Sequence, residues 1–155
     1  QSIVWNIFMG KELRYPFGFI REKEQIREAN RLIREIGFTS ELINADSPVG
    51  NLSGGERQGV AIARAIYNNA ELIILDEPTN NLSLNETQKV FDFVLNVKKS
   101  NRSVLFIGHN IYHVYDISDR FVILDRGEVV HQINKEDIDT PEELMKIMRD
   151  TIKSH

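Results

Sequence analysis

Two adjacent carboxylates have the clearest capacity for chemistry in this sequence. Asp76 and Glu77 directly follow the apolar run at residues 72–75, and Pro78 comes next. A buried strand delivers such residues to the carboxyl edge of its sheet, where open α/β sheets bind ligands. Because side chains alternate along an extended backbone, we expect the two carboxylates to point differently and to have different roles. Asp76 could hold Mg²⁺ through water, and Glu77 could orient or deprotonate an attacking water, although an Asp-Glu-Pro turn is also common in plain loops.

A glycine turn before a helical pattern is the second candidate. Its residues are Leu52, Ser53, Gly54, Gly55 and Glu56. Glycines let bare backbone N–H groups approach an anion closely, and the N-terminus of a helix adds partial positive charge. A serine followed by two glycines is also typical of a simple helix cap, so the turn alone leaves both interpretations open.

A histidine at the end of another apolar run is the third candidate. His109 follows residues 104–107 and Gly108. A histidine at a strand end is often structural, and its imidazole can also contact a reacting group. His113, His131 and His155 have no comparable placement, and we interpret them as surface or packing residues.

Short apolar runs alternate with helical patterns from residue 52 onward. The runs lie at residues 72–75, 104–107 and 121–124. Because they are apolar at every position, they predict strands covered on both faces, as in a mostly parallel sheet flanked by helices. The first fifty residues differ, since they predict a charged helix over residues 22–36 and a loop over residues 45–50. We therefore expect an α-helical subdomain over residues 1–51 and an α/β half over residues 52–155.

Two helix starts carry capping-box patterns. Ser83 and Glu86 form one at the start of a helix predicted over residues 83–99. Thr140 and Glu143 form another at the start of the closing helix, which has a proline at its first position.

Composition excludes several classes of protein. The 155 residues carry a formal net charge of -4, which gives no bulk attraction to nucleic acid or to an anionic membrane. There is no cysteine, so disulfides and thiolate metal sites are excluded, which fits a reducing cytosol. No apolar run approaches the roughly 20 residues that span a bilayer. We therefore expect no nucleic-acid partner and no direct membrane insertion.

The extended motifs resemble those of ABC ATPases. The run LSGGERQ from Leu52, followed by AIARA, resembles the family's signature motif, and the carboxylates follow it at the family's spacing. The resemblance implies a P-loop NTPase fold that uses ATP and Mg²⁺. It also implies that the signature residues contact nucleotide, that Asp76 binds the metal, and that Glu77 is catalytic. His109 lies where the family places the switch histidine that contacts the γ-phosphate, so it too is assigned as catalytic.

A further segment resembles the family's D-loop and points to one subgroup of the family. It consists of Asn80, Asn81, Leu82 and Ser83, which the resemblance also assigns to nucleotide binding. Most members have Asp where this chain has Ser83. A serine at this position is similar to the D-loop of ribose, xylose and fructose importers. Serine is also a good helix cap, which explains its presence equally simply. The resemblance implies a second ABC ATPase domain and a membrane permease as partners. It implies a cytoplasmic protein held peripherally on the inner face of the cell membrane through that permease.

The sequence contains no G-x-x-x-x-G-K-[ST] phosphate loop. The pair Gly10-Lys11 has neither the upstream glycine nor a following Ser or Thr. We therefore expect a partial ABC ATPase fold that keeps the signature face and is inactive alone. Two other functions stay open: a soluble ABC ATPase of DNA repair or translation, and a non-catalytic half-domain that binds a partner. The first often carries coiled-coil or zinc insertions near the signature, and this chain has neither heptads nor cysteine.

Overall fold

The computed structural model describes residues 1–154, with side chains through residue 151. The chain falls into two compact units, Gln1–Ile107 and Gly108–His155. The first contains, in chain order, α1 (Ile3–Phe8), α2 (Glu22–Glu35), α3 (Gly54–Tyr67), β1 (Leu72–Asp76), α4 (Leu84–Lys99) and β2 (Ser103–Ile107). The second contains α5 (Ile111–Tyr115), β3 (Arg120–Asp125), β4 (Glu128–Asn134) and α6 (Pro141–Ser154). One-turn 3₁₀ helices occupy Val49–Asn51 and Lys135–Asp137.

Helix packing forms the core of the first unit. The helix predicted over residues 22–36 is confirmed as α2, and its buried positions include Ala29, Leu32 and Ile33 at helical spacing. Helix α3 packs against α1, α2 and α4. The chain leaves α2 through Gly37, whose φ of +112° favours glycine and whose added Cβ would lie 2.7 Å from Asn96 Nδ2.

The boundary between the compact units lies after Ile107, whereas the sequence patterns predicted a change of domain after residue 51. Because α3 packs against helices from both sides of residue 51, the predicted helical subdomain and the signature helix share one compact unit. A division into a helical subdomain over residues 1–51 and a catalytic half over residues 52–155 stays a prediction.

The sheet of the first unit consists of β1 and β2 in parallel, with Leu72 beside Ser103 and Asp76 beside Ile107. Its inner face carries the buried Ile73 and Leu75, and Phe106 of this face contacts Phe91 of α4 at 6.2 Å between ring centroids. The other face, which we call the outer face, carries four exposed apolar side chains. They are Leu72, Ile74, Leu105 and Ile107, with 54%, 59%, 47% and 44% of their surface exposed.

Within the described residues this sheet is covered on one face only, whereas its apolar runs are typical of strands covered on both faces. Helix α4 packs against β2 on the inner face, and the apolar residues of β1 alternate between exposed and buried. The α/β class itself is confirmed by a parallel strand pair with a helix packed on it.

The second unit is an antiparallel hairpin with two helices. Strands β3 and β4 pair around a turn at Arg126 and Gly127, which have φ of +47° and +87°. Its core is formed by Tyr115, Phe121, Ile123, Ile138 and Leu144.

The predicted capping box at α6 is formed only in part. Thr140 Oγ1 accepts from the N–H of Glu143 at 3.2 Å. The carboxylate of Glu143 accepts from the N–H of Asp139 at 3.1 Å, one residue earlier than a capping box requires. Among the residues described, no helix is both long enough and apolar enough to cross a membrane.

Candidate functional site

Residues 52–56, here called the signature turn, form the N-terminus of α3. Ser53 is the N-cap, and its Oγ accepts from the N–H of Glu56 at 3.3 Å. The carboxylate of Glu56 accepts in return from the N–H of Ser53 at 2.9 Å. This reciprocal capping box satisfies two N–H groups at the helix start. The S-x-x-E spacing at residues 53–56 is the signal that could have predicted it.

The turn lies against residues 80–83, here called the D-loop segment, and Glu86 connects the two. Glu86 Oε1 accepts from the N–H of Gly54 at 2.7 Å. Glu86 Oε2 accepts from the N–H and the Oγ of Ser83 at 3.0 and 2.9 Å. The capping box predicted at Ser83 is thus confirmed, and its glutamate has an additional partner in the signature turn.

The two glycines of the turn differ in how strictly this approach requires them. A Cβ on Gly54 would lie 2.3 Å from Leu82 Cδ2, and a Cβ on Gly55 would lie 2.6 Å from the carbonyl oxygen of Glu86. Contacts below 3.0 Å force a displacement, and the second is with backbone. The sequence suggested that these glycines expose N–H groups to an anion. In this structure they allow α3 to approach the start of α4, and the N–H of Gly54 is donated to Glu86.

Charges around the turn reinforce the same contact. Lys89 Nζ lies 2.7 Å from Glu56 Oε1 and so joins α4 to α3. Burial raises the pKa of Glu56, but hydrogen bonds from Lys89 and Ser53 and the charge of Lys89 outweigh it and leave that pKa below its usual value. Hydrogen bonds from Ser83 and then from Gly54 lower the pKa of Glu86 as well. Sequence analysis did not identify Lys89, since no pattern relates it to Glu56.

The predicted metal and catalytic carboxylates lie at the carboxyl end of β1. Asp76 is the last residue of the strand, and both carboxylates are exposed. Glu77 has φ of +46°, a left-handed conformation that is uncommon outside glycine and that occurs often at functional sites. Its N–H donates to the carbonyl of Ile107 at 2.9 Å, and its carboxylate accepts from Asn80 Nδ2. The two carboxylates thus differ in backbone conformation because the strand ends between them, and not because side chains alternate along it.

The oxygen ligands at this strand end fit Mg²⁺. Among the described residues no group of three or more His, Asp or Glu side chains could hold a metal by itself. Mg²⁺ keeps several waters and binds one or two carboxylates together with substrate phosphates, so the exposed Asp76 suits it. Bound there with ATP, the ion would neutralise charge on the phosphates.

His109 belongs to the other compact unit. It lies between β2 and α5 and is exposed. His113 lies in α5 and is partly buried, His131 lies exposed in β4, and His155 lies outside the described residues. The structure thus brings together the signature turn and the D-loop segment, with Asp76 and Glu77 at the end of β1 in the same unit. The roles of these residues stay predictions.

Comparison with known proteins supports the resemblance to ABC ATPases. The ABC transporter family model matches residues 5–80, a range that contains the signature turn, both carboxylates and Asn80. A xylose/arabinose import ATP-binding protein of Sulfolobus acidocaldarius is 39% identical over 146 residues, or 94% of this chain. The chain therefore resembles import ATP-binding proteins of ABC transporters over most of its length. A ribose import ATP-binding protein of Escherichia coli O157:H7 is 32% identical over 95% of the chain.

Solved structures of ABC transporter proteins share the fold. An inward-facing metal-chelate type ABC transporter matches 96% of the chain with a TM-score of 0.74 and 26% identity. A dimeric bacterial ABC transporter cassette matches 87% of the chain with a TM-score of 0.65. The resemblance to ABC ATPases and to their P-loop NTPase fold is thereby confirmed.

The chain spans only part of each protein that it matches. It covers 57% of the Sulfolobus protein, 28% of the Escherichia protein and 58% of the inward-facing transporter.

Proposed function

We propose that this chain supplies the signature turn and the catalytic carboxylates of an ATP-hydrolysing subunit that drives sugar import. The observation that carries the proposal is the end of β1, where an exposed aspartate is followed by a glutamate in a left-handed turn. The names of the relatives, which are xylose/arabinose and ribose import proteins, support the choice of sugars.

Each carboxylate has a distinct role in this proposal. Asp76 holds Mg²⁺ through water at the carboxyl end of the strand. Glu77 orients or deprotonates the water that attacks the γ-phosphate, and its hydrogen bond with Asn80 supports its orientation. The signature turn and the D-loop segment contact nucleotide, and His109 contacts the γ-phosphate. No observation favours the alternatives of a DNA-repair or translation ATPase or of a non-catalytic half-domain.

The partners follow from the same proposal. The subunit works with a second ABC ATPase domain, which a dimeric bacterial cassette of the same fold supports. The signature turn then acts on nucleotide that the second domain holds. A membrane permease binds the subunit and keeps it on the inner face of the cell membrane, in the cytoplasm, as the import function of the relatives suggests.

Paired amide substitutions test the assignment in a complete subunit that also carries a phosphate-binding loop. Glu77→Gln keeps the size and the hydrogen bonding of the side chain but removes the base, so we expect hydrolysis to fall by about 10²–10⁴-fold while ATP binding survives. Asp76→Asn should instead raise the Mg²⁺ concentration needed for half-maximal activity. Steady-state phosphate release and Mg²⁺ titration separate the two results.

Two outcomes would contradict the proposal. One is a Glu77→Gln enzyme that keeps most of its activity, and the other is an Asp76→Asn enzyme with an unchanged Mg²⁺ requirement. Uptake of labelled xylose, arabinose and ribose by cells with the permease then tests the sugar assignment, with Glu77→Gln as the inactive control.

A further inference from the structure

Glu86 uses both of its carboxylate oxygens, and each oxygen serves a different motif. One accepts from the N–H of Gly54 in the signature turn, and the other accepts from the N–H and hydroxyl of Ser83 in the D-loop segment. The Gly54 donor lies 32 residues from Glu86 along the chain, so this bond is tertiary.

Among the described residues, the two other capping glutamates, Glu56 and Glu143, lack such a tertiary backbone bond. Glu56 accepts from the backbone of its own N-cap, Ser53, and Glu143 accepts from the nearby Asp139. An N3 glutamate that only caps a helix needs no further backbone partner. The bond from Gly54 is therefore more than helix capping.

The surroundings of this bond are closely packed. The backbone of Glu86 leaves no room for a Cβ on Gly55, and a Cβ on Gly54 would displace the side chain of Leu82. The ion pair of Lys89 with Glu56 joins the same two helices a turn further on. A carboxylate between two backbone N–H groups makes charge-assisted bonds, which are about twice as strong as neutral ones.

We propose that Glu86 is a positioning residue that holds the signature turn against the D-loop segment, so that both motifs move as one unit. The inference rests on the proposed function, because the reaction that it serves is ATP hydrolysis. Glu86 touches no reacting atom in this role. It fixes the distance between two segments that are both assigned to nucleotide binding, and a small misplacement of such segments slows chemistry strongly.

The first measurement is independent of activity. Amide hydrogen exchange at Gly54, followed by NMR in the 155-residue chain, reports the bond directly. We expect Glu86→Ala to accelerate this exchange by about tenfold or more, since a hydrogen bond to a charged group is lost. Glu86→Gln, which keeps one accepting oxygen, should lie between Glu86→Ala and the unchanged chain. Glu143→Ala is the matched control, because it removes a capping glutamate in the other compact unit and should leave Gly54 unaffected.

The second measurement uses the complete ATPase subunit with its phosphate-binding loop. Glu86→Ala should lower kcat by about tenfold with KM for ATP within about twofold, since alignment and not nucleotide binding is lost. Glu86→Gln should restore part of kcat, and Glu143→Ala should leave it unchanged.

Unchanged exchange at Gly54 in Glu86→Ala would overturn the proposal. So would faster exchange with a kcat equal to that of Glu143→Ala, and in that case a dead Glu77→Gln enzyme would show that the proposed function still holds. If Glu77→Gln keeps its activity, the proposed function fails, and the positioning role fails with it.

Discussion

Within the first compact unit, the polar groups of the signature turn have partners, whereas the outer face of the β1–β2 sheet is left exposed. At the turn, N–H groups, carboxylates and glycines are matched by partners in the same unit, from Ser53 to Glu86. At the sheet, four apolar side chains on one face remain exposed, while the side chains on the other face are buried on β1 and partly buried on β2. The turn is thus specified by residues of this chain, whereas the outer face presents apolar surface that its own unit does not cover.

The two regions are stabilised in different ways. The signature turn is held by directional bonds between α3 and α4, so its geometry is local to those helices. The carboxylates Asp76 and Glu77 depend instead on β1, whose burial is one-sided. Perturbing the inner face of the sheet should therefore affect folding, and perturbing the outer face should affect association.

The largest expected effect comes from a matched pair on β1. Ile73→Ala truncates a side chain that is only 5% exposed and leaves a cavity. We expect a loss of about 2–5 kcal/mol in the free energy of unfolding. Ile74→Ala lies on the outer face at 59% exposure and should cost about 1 kcal/mol at most. Denaturant titration of both variants measures the difference, and equal losses would show that the outer face is also covered.

The same face makes the chain prone to self-association. Contiguous exposed apolar surface favours association, and a charge on it opposes this. We expect the unchanged chain to form larger species as its concentration rises, and Ile74→Lys to shift the population toward monomer. Light scattering at matched concentrations measures the size of the species that each protein forms. A chain that is strictly monomeric before the substitution would contradict the prediction.

A smaller effect tests the close approach at the signature turn. Gly55→Ala places a Cβ against the backbone of Glu86, which cannot rotate away, and overpacking of this kind costs about 1–3 kcal/mol. The better helix propensity of alanine offsets up to about 1 kcal/mol of that loss. Gly50→Ala is the control, since its Cβ meets nothing within 4 Å and the change should stay within about 0.5 kcal/mol. A Gly55→Ala chain as stable as Gly50→Ala would mean that the helices are further apart.

Local patterns in the sequence predicted local structure well. The apolar spacing of residues 22–36 gave α2, and the Ser83 and Glu86 pair gave a capping box, because both depend on residues within one turn of each other. The bond between Glu86 and Gly54 could not be predicted, since it depends on how two helices cross. Nothing in the sequence predicted the left-handed conformation of Glu77 either, because glutamate rarely adopts that conformation.

The exposed outer face shows a different limit. An uninterrupted apolar run indicates that a strand can be buried on both faces, but it does not indicate which element covers each face. The inference from residues 72–75 to a strand was confirmed, and within the described residues one face of that strand is covered while the other is exposed.

The smallest expected effect is the dependence of stability on pH at the turn. Hydrogen bonds hold the pKa of Glu86 below the ordinary glutamate value of 4.5, so the folded state favours its charged form. A lowered folded pKa contributes stability that is present above pH 4.5 and is lost as the pH falls through the folded pKa. Glu86→Gln removes that titration but keeps the shape of the side chain. The difference in unfolding free energy between Glu86→Gln and the unchanged chain should therefore be largest at neutral pH and should shrink as the pH falls below 4.5. Denaturant titrations at several pH values measure this difference. The contributions of the other titrating groups cancel in it, because both proteins carry those groups. A difference that stays constant from neutral to acid pH would mean that the bonds from Gly54 and Ser83 do not favour the charged carboxylate.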